Sequence, residues 1–498
     1  MRLNPHLFEI NAFWLLRRLA AKEPRPLTLA AIPEGEWKSL RASGFDIVWL
    51  MGVWKRSPGA RQKALKDPTL REAYTQALPG WTEKDVTGSP YAINEYSLDP
   101  SLGGEGELAE LKDRLNRLGL KLMLDFVPNH LAFDHPWTLS HPEYFIRAPD
   151  SGCCGHPEWF FEAKSGVFLA HGRDPYFPPW SDTVQVNYFS PAAREAMMEE
   201  LERIAEVSDG VRCDMAMLAI SDIFKKVWGP VTGRPKPEKE FWGEAIARLR
   251  RKRPDFIFMA EAYWNTEYPL QQMGFDFTYD KILYDRLLHS DAREVRAHLQ
   301  ADSEYQKRSA RFIENHDEKP AAGAFGSSRS LAAAGVAATI PGLRFFYDGQ
   351  REGRRAHVPI QLGREPQEKN SLPIFNFYQR LMKTVDGPAY HEGNWKLLSV
   401  NASSENNNTF CNLLAWSWEL GPEMELIMIN DSAIRSQGRV TLPRKIRGSR
   451  KISFFDRLRG TRYFYLADEI NEKGIYVDLN PWNAHIMKGP VLEKEGRK

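Results

Sequence analysis

Eight short apolar runs recur between Leu7 and Tyr347, and most are followed by a stretch of helical periodicity. They cover residues 7–12, 45–51, 120–127, 210–213, 256–260, 274–277, 311–313 and 343–347. A continuous apolar run after a helix is how a strand covered on both faces reads. Strand–helix alternation calls for a parallel sheet, and eight repeats call for an α/β fold closed as a (β/α)8 TIM barrel. A doubly wound open sheet is the main alternative, but no glycine-rich phosphate turn follows an early strand.

The intervening segments support that reading. Residues 105–118 carry Leu108, Leu111, Leu115 and Leu118 at helical spacing, closed by Gly119. Ser190-Pro191 opens a helix to about Val207 with Met197, Leu201 and Ile204 inward. Residues 281–300 read as one helix, and 56–87 as an irregular excursion over one end of the fold. From 131 to 186 the periodicity is lost. Aromatic clusters such as Trp159-Phe160-Phe161 and Phe177-Pro178-Pro179-Trp180 favour a small inserted domain there over disorder. Past about Asp386, short strand-like runs between turn signals predict an all-β sandwich with no helices. The expected division is 1–130 with 187–390 for the barrel, 131–186 for the insertion and 391–498 for the C-terminal sandwich.

Composition excludes several classes. A net charge of +2 leaves no electrostatic footprint for nucleic acid. Arg2, Glu9, Arg17 and Arg18 break up the apolar residues of 1–20, so neither a signal peptide nor a membrane span is expected, and the reading is cytoplasmic with no membrane partner. The four cysteines, Cys153, Cys154, Cys213 and Cys411, are too few for a disulfide scaffold and lack zinc-site spacing. The adjacent Cys153-Cys154 pair reads as free thiols in a loop. Fifteen tryptophans and 17 tyrosines suit the C–H faces of sugars, although most will be core.

The chemistry collects at strand ends. Arg212 and Asp214 flank Cys213, so period two puts them on one face of the fourth strand. A guanidinium that close is expected to hold the aspartate ionised, as a carboxylate nucleophile requires. A purely structural ion pair has the same local signature. Asp125 and His130 close the third strand, Glu261 the fifth, and His316 with Asp317 the seventh. In a (β/α)8 barrel those ends share the rim that carries active sites, and their accidental convergence is far less expected than that of any one alone.

The segments Asp125-Phe-Val-Pro-Asn-His130, Gly210-Val-Arg-Cys-Asp214, Ala260-Glu261-Ala262 and Glu314-Asn-His-Asp317 resemble, in order, the four sequence regions of the α-amylase family of glycoside hydrolases. The resemblance spans nearly the whole chain, with an insertion after the third strand and a C-terminal β-sandwich. It implies Asp214 as nucleophile, Glu261 as general acid/base and Asp317 as transition-state stabiliser. It further implies that His130 and His316 hydrogen-bond the sugar, that Arg212 orients Asp214, and that Tyr91 stacks on the same sugar, with Pro90 where relatives often carry glycine. Retaining cleavage of an acetal needs one ionised carboxylate and one protonated carboxylic acid, so Glu261 is expected to have a raised pKa.

Two departures stand out. Met217 and Leu218 occupy the positions of a Lys-His pair that many α-amylases place on the leaving side, unless they are simply core residues. The segment Thr183-Val-Gln-Val-Asn187 lacks an aspartate that relatives usually offer to calcium, although Asn129 matches another ligand, so no metal or cofactor is expected. Three readings follow. One is hydrolysis of α-1,4 bonds in malto-oligosaccharides or glycogen-like α-glucans. Another is glycosyl transfer to a sugar, phosphate or polyol through the same covalent step. The third is a non-enzymatic carbohydrate-binding protein.

Overall fold

The apolar runs close into a parallel barrel in the computed structural model, which describes residues 1–21, 27–148, 155–447 and 451–492. Its strands are β1 (His6–Asn11), β2 (Ile47–Met51), β3 (Lys121–Phe126), β4 (Gly210–Cys213), β5 (Ile257–Ala260), β6 (Phe277–Tyr279), β7 (Ser309–Arg311) and β8 (Leu343–Tyr347). Each pairs with its neighbours in chain order, and β8 returns to β1 with Phe346 opposite Phe8. Closure excludes the open doubly wound sheet. The lumen is filled: Tyr279, Phe312 and Phe345 pack with ring centroids 5.1–5.9 Å apart, and Trp49 lies 5.8 Å from Phe345. The sixth strand starts at Phe277 rather than at 274, because Gly274 adopts φ +114 in the preceding turn.

Residues 56–87 are not irregular. They form two helices, Pro58–Lys66 and Pro68–Ala77. Ser57 Oγ accepts the Ala60 N–H at 2.8 Å, and Asp67 Oδ1 accepts those of Thr69 and Leu70 at 2.8 and 3.0 Å. Each helix thus has a side-chain cap followed by proline, which suits the first helical position. Their buried faces are narrow, chiefly Ala64 and Leu65 in one and Tyr74 and Ala77 in the other, so no strong period marks them. The single helix expected over 281–300 is two, Lys281–His289 and Ala292–His298, because Asp291 caps the second. The Ser190-Pro191 helix runs to Val207 as expected.

Between β3 and β4 the strand His130–Ala132 pairs antiparallel with Thr183–Gln185, and Phe160–Lys164 forms a hairpin with Val167–Ala170. Cys153 and Cys154 lie outside the described residues.

The C-terminal part contains a six-stranded sheet and a three-stranded sheet. Strands Leu413–Leu420 and Glu423–Asn430 show period two in what they bury. Leu413, Ala415, Leu426 and Met428 enter the core between the sheets, while Leu414, Trp416, Trp418, Ile427 and Ile429 join the barrel's core. Trp418 Nε1 donates to Thr339 O at 2.6 Å, which fastens the sheet to a barrel helix. One helix, Ala467–Lys473, does occur in this part, contrary to expectation. Among the described residues no helix is long and apolar enough to cross a membrane.

Candidate active site

Strand register does the first part of the work. Arg212 lies opposite Asp125 on β3 and Met259 on β5, and Cys213 lies opposite Ala260. Asp214 and Glu261 are therefore the next residues out on adjacent strands, tied by the Glu261 N–H to Cys213 O at 3.0 Å.

Arg212 is wholly buried and is the hub. Its Nη1 donates to Asp214 Oδ1 at 2.7 Å and lies 3.6 Å from Asp125 Oδ1. Its Nη2 stands 2.8 Å from Glu261 Oε2, an ion-pair contact without hydrogen-bond geometry. Trp49, Tyr91 and Tyr279 surround the guanidinium with ring centroids 5.2, 5.2 and 5.7 Å away. A cation caged by aromatic faces and paired with acids can stay charged without water.

Glu261 is held at both oxygens. The Met215 N–H reaches Oε2 at 2.6 Å, and the Tyr263 hydroxyl donates to Oε1 at 2.7 Å. Met215 takes φ 42, a left-handed conformation that costs a non-glycine residue roughly 1–2 kcal/mol, and that turn carries its N–H to the carboxylate. Burial lifts the Glu261 carboxyl to about 7, Arg212 opposes the rise, and Asp214 and Asp317 add to it. Burial also raises Asp214 above the ordinary aspartate value, with Arg212 pulling against it. The expectation that the arginine alone sets the state of Asp214 is thus corrected: desolvation is the larger influence.

His316 anchors the other side. Its Nδ1 is 2.5 Å from Glu9 Oε1, and its Nε2 lies 2.8 Å from the Tyr91 hydroxyl and 3.1 Å from Asp317 Oδ2. Burial disfavours the charged ring, but Asp317 and Glu9 outweigh it and hold the imidazole well above its usual range. Burial pushes Asp317 up, yet His316 pulls harder and brings it to about 2. The Asp317 side chain is 44% exposed, so water screens part of that pull. Tyr91 stacks on His316 at 5.4 Å and 27°.

The structure therefore gathers Tyr91, Arg212, Asp214, Glu261, His316 and Asp317. His130 stands apart: its contacts are with Asn129, the Trp180 ring at 5.1 Å and the Tyr91 backbone, and burial lowers its pKa to about 4. Met217 and Leu218 are buried in the turn Ala216–Ala219, so they are core residues. Glu9, Tyr263 and Tyr279 were not picked out by sequence. Only Glu9 carried a signal, as an acid inside an otherwise apolar strand. Access is from the Asp317 side, where a groove of about 510 Å³ is lined by His316, Asp317, Lys319 and His357 opposite Leu70 and Gln76.

The residues matching a family calcium site do not fit a cation. Gln185 Nε2 donates to Asn129 O, Asn129 Oδ1 and Val186 O at 2.8, 3.0 and 3.1 Å, so an amide already serves the oxygens a metal would need. Among the described residues no group of three or more His, Cys, Asp or Glu could hold a metal.

A closed parallel barrel with carboxylates clustered at the carboxyl ends of its strands is the architecture of a barrel enzyme. Residues 40–373 match the model of the α-amylase catalytic domain, and the chain belongs to the α-amylase family of glycoside hydrolases. It is 24% identical over 454 residues to alpha-amylase 3 of Dictyoglomus thermophilum, covering 79% of this chain and 81% of that protein. It is 27% identical over 307 residues to an alpha-1,4-glucan:maltose-1-phosphate maltosyltransferase of Arcanobacterium haemolyticum, covering 57% of this chain and 37% of that longer one. A maltogenic alpha-amylase, AmyB from Thermotoga neapolitana, shares the fold, with a TM-score of 0.69, 19% identity and coverage of 98% and 99%. An alpha-amylase from Lactobacillus plantarum is similar at TM-score 0.66, with 19% identity and the same coverage.

Proposed function

We propose that the protein is a retaining α-glycosidase that hydrolyses α-1,4-glucosidic bonds of malto-oligosaccharides or glycogen-like α-glucans. The observation that carries this is one buried guanidinium touching both Asp214 and Glu261. Two carboxylates bridged in that way are closely spaced, which suits a covalent glycosyl-enzyme better than the wider inverting arrangement.

Asp214 takes the full hydrogen bond from Arg212 and acts as nucleophile on the anomeric carbon. Glu261, at about 7, keeps a proton near neutrality and gives it to the departing oxygen. After departure it takes a proton from the incoming water. Asp317, ionised and reachable from the groove, accepts hydrogen bonds from ring hydroxyls as positive charge grows on the sugar. His316 and Tyr91 bound the same space, and His130 supports it from behind Tyr91.

Glycosyl transfer is the second reading. Asp214 and Glu261 are only 5% and 3% exposed, and such a site can shield the glycosyl-enzyme from water. The printed activity of the maltosyltransferase relatives is of the same kind. Incubation with maltoheptaose, with products resolved by chromatography, tests both. Shorter chains alone mark hydrolysis, longer chains beside shorter ones mark transfer, and unchanged maltoheptaose sinks both.

A further inference from the structure

Four large aromatic side chains near this rim are left in solvent: Trp264 at 37% exposure, Tyr268 at 58%, Tyr176 at 61% and Phe177 at 67%. Trp264 and Tyr268 follow Glu261 in the chain, whereas Tyr176 and Phe177 come from the segment between β3 and β4. The two groups meet where the Trp264 and Tyr176 rings pack edge to face at 4.9 Å. Trp264 is also 6.5 Å from the ring of Tyr263, the residue whose hydroxyl holds Glu261. The exposed aromatic surface is thus continuous with the proposed proton donor.

Holding Trp264 there is costly. Trp264 and Asn265 have φ 62 and 61, a conformation that costs each such residue roughly 1–2 kcal/mol. Thr266 fastens the turn, its N–H and its hydroxyl reaching Tyr263 O at 3.2 and 2.6 Å. On the facing side, Asp174 Oδ1 accepts the N–H groups of Tyr176 and Phe177 at 2.6 and 2.9 Å. Backbone strain that turns a large aromatic outward, next to a reactive acid, belongs to ligand binding rather than to core packing.

Polar groups suited to hydroxyls lie alongside. A depression of about 230 Å³ is lined by Trp159, Arg173 and Lys226. Lys226 Nζ sits 5.7 Å from the Tyr176 ring centroid, and Arg173 Nη1 is buried without a hydrogen-bond partner. Aromatic faces for C–H surfaces beside unspent N–H donors make up the chemistry of a sugar site.

We propose that Trp264 and Tyr176 form a stacking platform for leaving-side sugars of an α-glucan bound across Glu261, with Lys226 and Arg173 donating to their hydroxyls. This deepens the α-glucan reading above and rests on it. The test is calorimetric binding of maltoheptaose and maltotriose to Glu261→Gln, alone and combined with Trp264→Ala, Tyr176→Ala or Trp264→Phe.

The alanine variants are expected to melt near their parent and to lose affinity for maltoheptaose by at least about tenfold. The ratio of maltoheptaose to maltotriose affinity should fall with it, while Trp264→Phe keeps most of both. Unchanged maltoheptaose affinity in both alanine variants, or equal loss for both sugars, overturns the platform. If Glu261→Gln binds maltoheptaose through Trp264 but the wild-type chain turns no α-glucan over, the platform stands and the catalytic reading falls. If no α-glucan binds at all, both fall.

Discussion

Glu9 Oε1 and His316 Nδ1 meet at 2.5 Å in the barrel interior, although the residues are 307 positions apart in the chain. The pair puts a carboxylate from β1 behind the imidazole that faces Asp317 and Tyr91, so one strand end sets the charge of another.

Replacing Glu9 should therefore act through His316. Glu9→Gln removes one of the two acids that keep the ring charged, and the His316 value moves down toward ordinary histidine. The imidazole resonance, followed by NMR against pH, should titrate at lower pH in the variant, with kcat falling over the same range. An unmoved titration would show that Asp317 alone sustains the charge.

Changing the three acids should separate folding from chemistry. Asp214→Asn, Glu261→Gln and Asp317→Asn should each leave a folded protein whose kcat/KM for maltoheptaose falls by roughly 10²–10⁴ or more. Near-wild-type turnover by any of them removes that residue from its proposed role.

The alkaline side of the pH–rate profile should follow Glu261. A general acid must be protonated, so activity falls as pH rises through about 7. Stability follows the same group. Its carboxyl is raised from 4.5 to about 7 on folding, so the folded chain binds that proton more tightly than the unfolded one. Wild-type stability is then lost as pH climbs across that window. Glu261→Gln should melt higher than wild type at pH 8, with the gap closing by pH 5. A gap independent of pH would place the raised carboxyl elsewhere.

Arg212 should be far more costly to remove than a surface arginine. Arg212→Met strands Asp214, Glu261 and Asp125 without their shared cation, and the loss should be about 3–5 kcal/mol in urea unfolding at neutral pH. Protonation of the acids would restore part of it, so the deficit should shrink toward pH 4.

Chelation should leave the melting temperature unchanged, because the Gln185 amide already satisfies Asn129 and Val186. Gln185→Ala orphans those oxygens and should cost about 1–3 kcal/mol, with calcium giving no rescue. Stabilisation by calcium in either protein would contradict the assignment.

The sequence by itself determined the barrel and the order in which its strands deliver acids. Apolar runs such as 45–51 and 120–127 must be covered on both faces, and eight of them leave few topologies. It also placed Asp214, Glu261 and Asp317, because residues just past a parallel strand share one rim. It did not show the helices in 56–87, where caps without a wide apolar face leave no period to detect.

Tertiary structure alone decided the electrostatics. Glu9, Tyr263 and Tyr279 reach the site from distant or short segments, and no spacing rule predicts which buried group a side chain will meet. Local sequence made Arg212 the partner of Asp214, but closure of the barrel brought Glu261 to the same guanidinium and removed the water. Desolvation, a property of the packed whole, then set which carboxyl keeps its proton.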